Sequence, residues 1–157
     1  MVINLKNELK KLHINQIDSV YKDIKKQAKI LESLLGFPKF AFTDEIDHKL
    51  IYQGKEYEAT VMIGFSRILN IQFELVQWIR GECIQKEFLD NGNEGFFSVS
   101  VYVEDLQSYL DACKELGINI LQRGLIHRTD FAYLDTRKSF GLILELQEQL
   151  KRRKSKN

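Results

Sequence analysis

Two glutamates occupy the same place in two similar stretches, Phe73-Glu74-Leu75 and Leu144-Glu145-Leu146. Side chains alternate along a strand, so each carboxylate points away from its apolar neighbours. Two further stretches alternate in the same way. Gln16 shares a face with Ile14 and Asp18, against Ile17, and Ser98 shares one with Ser100, against Val99 and Val101. If these strands curve around a cleft, Gln16, Glu74, Ser98 and Glu145 converge. Paired carboxylates in a cleft can take and return a proton, and with an amide oxygen they can hold a hard cation. The plainer alternative is the solvent face of an antiparallel sheet, where such alternation ordinarily arises.

The elements that would position these residues come in two matching series. HINQIDSV reads as a strand, and Asp23 opens a helix (Ile24, Ala28, Leu31, Leu35) stopped by Gly36 and Pro38. DHKLIY, YEATVMIGF and ILNIQFELVQW then read as strands, with a turn at Gly54. After a short helical piece and an Asn/Gly-rich linker (GECIQKEFLDNGNEG), the strand FFSVSVYV leads into a helix from Asp105 to Gly117, followed by the strands INILQR, DFAYLD and GLILELQ. Placing Gln16 on Ser98 also places Asp23 on Asp105. The fold class is therefore α+β, a tandem pair of β-α-β-β-β modules whose sheets pair into one curved cleft. The expected division is an amino-terminal helical extension (1–11), a single domain (12–147) and a basic tail (148–157). Within the domain, module 1 covers about 12–78, the linker 79–95 and module 2 about 96–147.

Composition narrows the classes of function. The net charge of +1 conceals five positive charges in KRRKSKN, so the other 150 residues sum to −4. A mildly acidic body lacks the clustered Lys and Arg needed to neutralise phosphates, and nucleic acid is not an expected partner. No apolar run reaches the ~20 residues of a membrane span, and the amino terminus lacks the pattern of a signal peptide. Cys83 and Cys113 are too few for a disulfide framework or a CxxC metal site. A cytoplasmic setting without a membrane partner follows as the expectation. Phosphate-loop, nucleophile-elbow, dinucleotide and zincin motifs are absent. His13 lies on the opposite strand face from Gln16, and His48 and His127, in or beside loops, read as surface residues.

The segments INQIDSVYKD, IQFELVQW, EGFFSVSVYVEDL and FAYLDTRKSFGLILEL, in that order and spacing, resemble the vicinal oxygen chelate superfamily of glyoxalases, bleomycin-resistance proteins and dioxygenases. The last two, with EFLDNGNEG, look most like the glyoxalase I and methylmalonyl-CoA epimerase branch. The resemblance covers roughly residues 12–147. It implies a metal held by one side chain from the first and last strand of each module: Gln16 and Glu74, then Ser98 and Glu145. Glyoxalase I has glutamine and glutamate at the first pair, whereas the second pair is normally histidine and glutamate, so Ser98 departs. Serine is a poor ligand for Zn, Ni or Co, and the remaining oxygen set would suit Mg or Mn. The implied function is a glyoxalase- or epimerase-like lyase or isomerase, with one divalent metal ion and a carboxylate base. Glu145 comes first for that role and Glu74 second, acting on a small α-oxygenated carbonyl compound or thioester. The alternative is a metal-free small-molecule binding protein of the same fold. Trp78, Tyr102, Phe131 and Tyr133 are candidate cleft aromatics, while Arg128, with Arg123 and Arg137, would favour an anionic ligand. Family analogy also implies a homodimer.

Overall fold

In the computed structural model, which describes residues 3–152, a short helix α1 (Leu5–Glu8) and a 3-10 turn (Leu9–Lys11) precede the first unit. That unit runs β1 (Gln16–Val20), α2 (Ile24–Leu35), β2 (Ala41–Phe42), β3 (Ile46–Tyr52), β4 (Lys55–Ile68) and β5 (Ile71–Gly81). Helix α3 (Ile84–Asp90) joins it to β6 (Gly95–Tyr102), α4 (Leu106–Glu115), β7 (Ile120–Ile126), β8 (Thr129–Leu134), α5 (Arg137–Phe140) and β9 (Ile143–Gln149). Residues 1 and 2 of the expected amino-terminal extension and residues 153–157 of the basic tail lie outside the described residues. The sequence pattern did not mark β2 or α5. The run ILNIQFELVQW is also divided, because Leu69 and Asn70 adopt positive φ (53° and 60°) in the tight turn between β4 and β5.

The two units obey one pattern down to individual hydrogen bonds. Asp23 and Asp105 cap α2 and α4, accepting from the backbone N–H of Lys26 at 3.0 Å and of Ser108 at 3.1 Å. Each helix also has its first N–H bonded by a side chain of the closing strand of its unit. Gln77 Oε1 accepts from Ile24 N at 3.0 Å, and Glu148 Oε2 accepts from Leu106 N at 2.8 Å. These bonds satisfy donors that a helix start leaves without partners. The strand register repeats as well: β1 and β5 pair in parallel with Asp18 opposite Glu74, and β6 and β9 pair in parallel with Ser100 opposite Glu145. The two first strands pair antiparallel, Gln16 with Ser100 and Asp18 with Ser98, as a twofold relation between the units requires.

The sheets do more than face one another. The order β4-β3-β7-β8-β9-β6-β1-β5 closes on itself through β5–β4, giving an eight-stranded ring with β2 attached outside it to β4. The seam between units is β3 with β7, Leu50 opposite Gly124. A Cβ at Gly124 would lie 2.7 Å from the Phe131 ring, so the bare backbone there lets that ring turn inward. Outside the ring, Ile24 of α2 and Leu106 of α4 are fully buried, each stabilising its helix packing by about 1.5–3 kcal/mol. Inside, Ile84 and Leu89 of α3 pack with Val20, Phe97 and Tyr133, filling one end of the barrel. The N-terminus of this plug is held by Gln122, whose Oε1 accepts from Ile84 N at 2.8 Å. The other end is open.

The matched caps generate a symmetric expectation. Asp23→Ala and Asp105→Ala should each lower stability by about 1 kcal/mol and, being far apart, add within about 0.5 kcal/mol in the double variant. Urea unfolding followed by circular dichroism measures both.

Candidate functional site

The open end of the barrel holds a cavity of about 1080 Å³. Its upper wall is apolar, from Val61, Ile63 and Phe65 of β4 and Phe131 of β8. Its floor is polar, because alternation on β1, β5 and β9 turns Gln16, Glu74 and Glu145 inward. Gln16, Glu74 and Glu145 therefore do meet in one cleft. Ser98 is fully buried beneath it.

One residue that sequence reasoning left without a role organises this floor. Asp18, 1% exposed, accepts from Gln16 Nε2 at 2.5 Å, from Ser98 Oγ at 2.8 Å and from Ser100 Oγ at 2.6 Å. Gln16 Nε2 also donates to Glu74 at 3.0 Å, and Gln16 Oε1 accepts from Gln72 at 2.6 Å and from the Tyr102 hydroxyl at 3.4 Å. On the far side Ser100 bonds Glu145, which accepts from Gln147 Nε2 at 3.0 Å. The available signal was the i, i+2 spacing of Gln16 and Asp18, with Ser98 and Ser100 repeating it in the second unit.

Three carboxyl groups thus share one network, Asp18 and Glu145 buried and Glu74 half-buried, and among the described residues none of them is in an ion pair. Burial pushes Glu74 and Glu145 well above the usual carboxylate range, with the charge of Asp18 adding to both and that of Glu145 adding to Glu74. Asp18 is raised by burial too, against the lowering effect of its hydrogen bonds to Ser100, Gln16 and Ser98. Protons therefore belong to the set rather than to any single member.

The metal implied by the resemblance does not fit this donor set. The Gln16 carbonyl is spent on Gln72 and Tyr102, and the Ser98 hydroxyl on Asp18. Among the described residues no three His, Cys, Asp or Glu side chains converge as a ligand set. Tyr102 and Tyr133 line the cavity. Trp78 does not: its indole N–H donates to the Gly81 carbonyl at 2.8 Å, and the ring packs against the core. Arg128 is exposed near the β7–β8 turn, while Arg123 and Arg137 are committed to Asp130 and Asp135, each at 2.8 Å. No anion-binding arginine cluster results. His48, expected on the surface, is 7% exposed and lines the cavity, because β3 begins at Ile46 and turns every second residue inward.

A pH dependence follows from the raised carboxyls. Between about pH 4, where these groups titrate in an unfolded chain, and their higher folded values, the folded state holds more protons, so stability falls as pH rises. The melting temperature should be lower at pH 8 than at pH 5. Glu74→Gln and Glu145→Gln should flatten that slope, each 1 kcal/mol recovered being worth about 2–4 °C. An unchanged slope in both variants would contradict this account.

Comparison with known proteins agrees with the geometry. No curated protein matches the sequence. A hypothetical protein from Bacillus halodurans C-125 superposes with a TM-score of 0.64 at 21% identity, over 93% of this chain and 99% of that one. Methylmalonyl-CoA epimerase from Mycobacterium tuberculosis gives 0.59 at 15% identity over 88% of each chain. A methylmalonyl-CoA epimerase in complex with methylmalonyl-CoA and NH4+ gives 0.61 at 17% identity, over 88% of this chain and 94% of that one. At these identities the likeness is one of fold. No helix among the described residues is long and apolar enough to cross a membrane. Residues 15–133 match the family model itself, and the chain belongs to the glyoxalase/bleomycin resistance protein/dioxygenase superfamily.

Proposed function

We propose that this protein is a glyoxalase- or epimerase-like lyase or isomerase that moves a proton on a small α-oxygenated carbonyl compound or thioester, using carboxyl groups of the barrel floor. The observation that carries this reading is the placement of Glu74 and Glu145 at repeat-equivalent positions on two closing strands lining one cavity. Raised as they are, one can stand ionised while another stays protonated near neutral pH, which is what a two-carboxyl proton transfer requires.

The division of labour favours Glu74 as base, the reverse of the order drawn from the sequence. Glu74 is more exposed to the cavity than Glu145, which is only 3% exposed, and has one oxygen held by Gln16. It would take the proton next to the carbonyl as the C–H electron pair moves onto the carbonyl oxygen. Glu145, held by Ser100 and Gln147, would return a proton to carbon. The Tyr133 oxygen accepts from Gln85 Nε2 at 3.1 Å, which leaves its own O–H to donate. Burial and the neighbouring carboxylates keep that hydroxyl protonated, so it suits a developing enolate oxygen. Tyr102, also in the wall, would help hold the substrate. The binding-only alternative draws on the aromatic wall of Phe65, Tyr102 and Phe131, which could grip a ligand without turnover. A cytoplasmic homodimer completes the proposal.

Two measurements test it. In deuterated water, a panel of small α-hydroxy ketones and thioesters should lose the α-proton NMR signal with wild-type protein, and Glu74→Gln or Glu145→Gln should slow that loss by about 10²-fold or more. Binding without exchange anywhere in the panel would favour the alternative. Mass spectrometry of protein purified without a chelating column should find no stoichiometric divalent metal. Near-stoichiometric Mg, Mn, Ni, Co or Zn, lost in Glu74→Ala plus Glu145→Ala, would replace the carboxyl-only scheme with a metal-assisted one.

A further inference from the structure

The ring is divided by chemistry as well as by repeat. Going round it, the neighbouring strands β5, β1, β6 and β9 supply the polar floor, and the other four, β4, β3, β7 and β8, turn Ile63, Phe65, Ile46, Ile126 and Phe131 into the same cavity. His48 and Thr129 stand among these apolar residues, and burial keeps the His48 ring neutral. Ile46, Phe65 and Ile126 pack on the core yet are only half-buried, so each keeps surface that a ligand can cover. Carboxyl groups therefore face hydrocarbon across one space.

Size and register indicate what would lie there. At about 1080 Å³ the cavity exceeds the roughly 300–1,000 Å³ of sites that enclose drug-sized ligands. A three- or four-carbon hydroxy ketone has five or six heavy atoms, which at about 30 Å³ each, the share of a molecule in liquid water, fill on the order of a sixth of that space. The repeat also gives the two glutamates different neighbours. Tyr133 is opposite Glu145 in the β8–β9 pair, and Phe65 holds the equivalent place opposite Glu74 in the β4–β5 pair. Opposite residues of an antiparallel pair share a face, with Cβ atoms about 5 Å apart. A group leaving the reacting carbon on the Glu74 side therefore meets the Phe65 ring and then Ile63, two residues along the strand.

We propose that the half-ring of β4, β3, β7 and β8 is a subsite for an apolar arm, so that the substrate is an α-oxygenated carbonyl compound or thioester carrying a medium-length aliphatic or arylalkyl chain, with its oxygenated end on the carboxyl floor. This rests on the cavity being the site of the proposed reaction and narrows its substrate class. Burial of the arm supplies binding energy remote from the reacting carbon, which a floor arranged for proton transfer does not.

Binding, separate from turnover, tests it with probes that share one hydroxymethyl ketone head: hydroxyacetone, 1-hydroxyhexan-2-one, 1-hydroxyoctan-2-one and 1-hydroxy-4-phenylbutan-2-one. In NMR titrations of the wild-type protein, affinity should rise about threefold per added methylene, or about 10²-fold from hydroxyacetone to the octanone. With isoleucine methyl groups labelled, the Ile46, Ile63 and Ile126 signals should shift on adding the octanone, while that of Ile24, buried under α2 outside the ring, stays in place. Ile46→Thr plus Ile126→Thr keeps β-branched side chains suited to strands; it should cost the octanone about tenfold and leave hydroxyacetone unchanged. An affinity that does not change with chain length, methyl shifts confined to residues outside the cavity, or an equal loss for both ketones in the double variant would overturn the subsite, and the methyl shifts stand even if the variant fails to fold. Proton exchange failing on every probe while the length dependence holds would count against the catalytic reading alone, whereas exchange on hydroxyacetone as efficient as on the octanone would overturn the subsite alone.

Discussion

Holding three carboxyl groups on one floor, Asp18 and Glu145 buried and Glu74 half-buried, with no ion-pair partner among the described residues is the constraint on which the rest of this site depends. An isolated buried carboxylate costs many kcal/mol, and proteins meet that cost by pairing it, protonating it or surrounding it with donors. Here Asp18 is surrounded: an amide from Gln16 and hydroxyls from Ser98 and Ser100 occupy its oxygens. Its presence explains the small residue at 98. An imidazole there would displace the hydroxyl that Asp18 accepts from, while serine fits the space between adjacent strands and supplies a donor. Asp18 and Ser98 are opposite one another in the antiparallel pair, so the two form one unit of the site.

That pair sits beside the twofold relation between the units, and the geometry of duplication does the rest. Parallel pairing of first and last strands inside each unit brings Glu74 beside Asp18 and Glu145 beside Ser100. Antiparallel pairing of the two first strands then joins both sets across the centre of the sheet. Closure through β3 and β7 converts this polar floor into one wall of an enclosed space, with α3 stopping the far end. Neither unit alone could do this, since each has an inner face that only the other covers.

What could be read beforehand follows from which forces are local. The caps at Asp23 and Asp105, the stop at Gly36 and the alternation that turns Glu74 and Glu145 inward depend on neighbours within a few residues, and the sequence displays them. The closed ring was not legible, because three register pairs between Leu50–Tyr52 and Gln122–Gly124 depend on contacts about seventy residues apart in the chain. The role of Asp18 was hidden for a related reason: one short polar residue on a strand looks the same whether water or three side chains will bond it. Trp78 and Arg128 were attractive for their chemistry, but Trp78 turns its N–H to the Gly81 carbonyl and Arg128 stands beyond the strand end. His48 was misjudged because the start of β3, not the loop before it, sets its direction.

The same network that burdens stability gives the site its chemical range. A floor whose carboxyls ionised freely would be a strong anion and would draw cations from solvent. Raising their proton affinity keeps part of the set neutral, and the charge that remains is spread over hydrogen bonds from Gln16, Ser98, Ser100 and Gln147. Such a floor can give up or accept a proton with little movement of heavy atoms, because the partners are already in place on strands rather than loops.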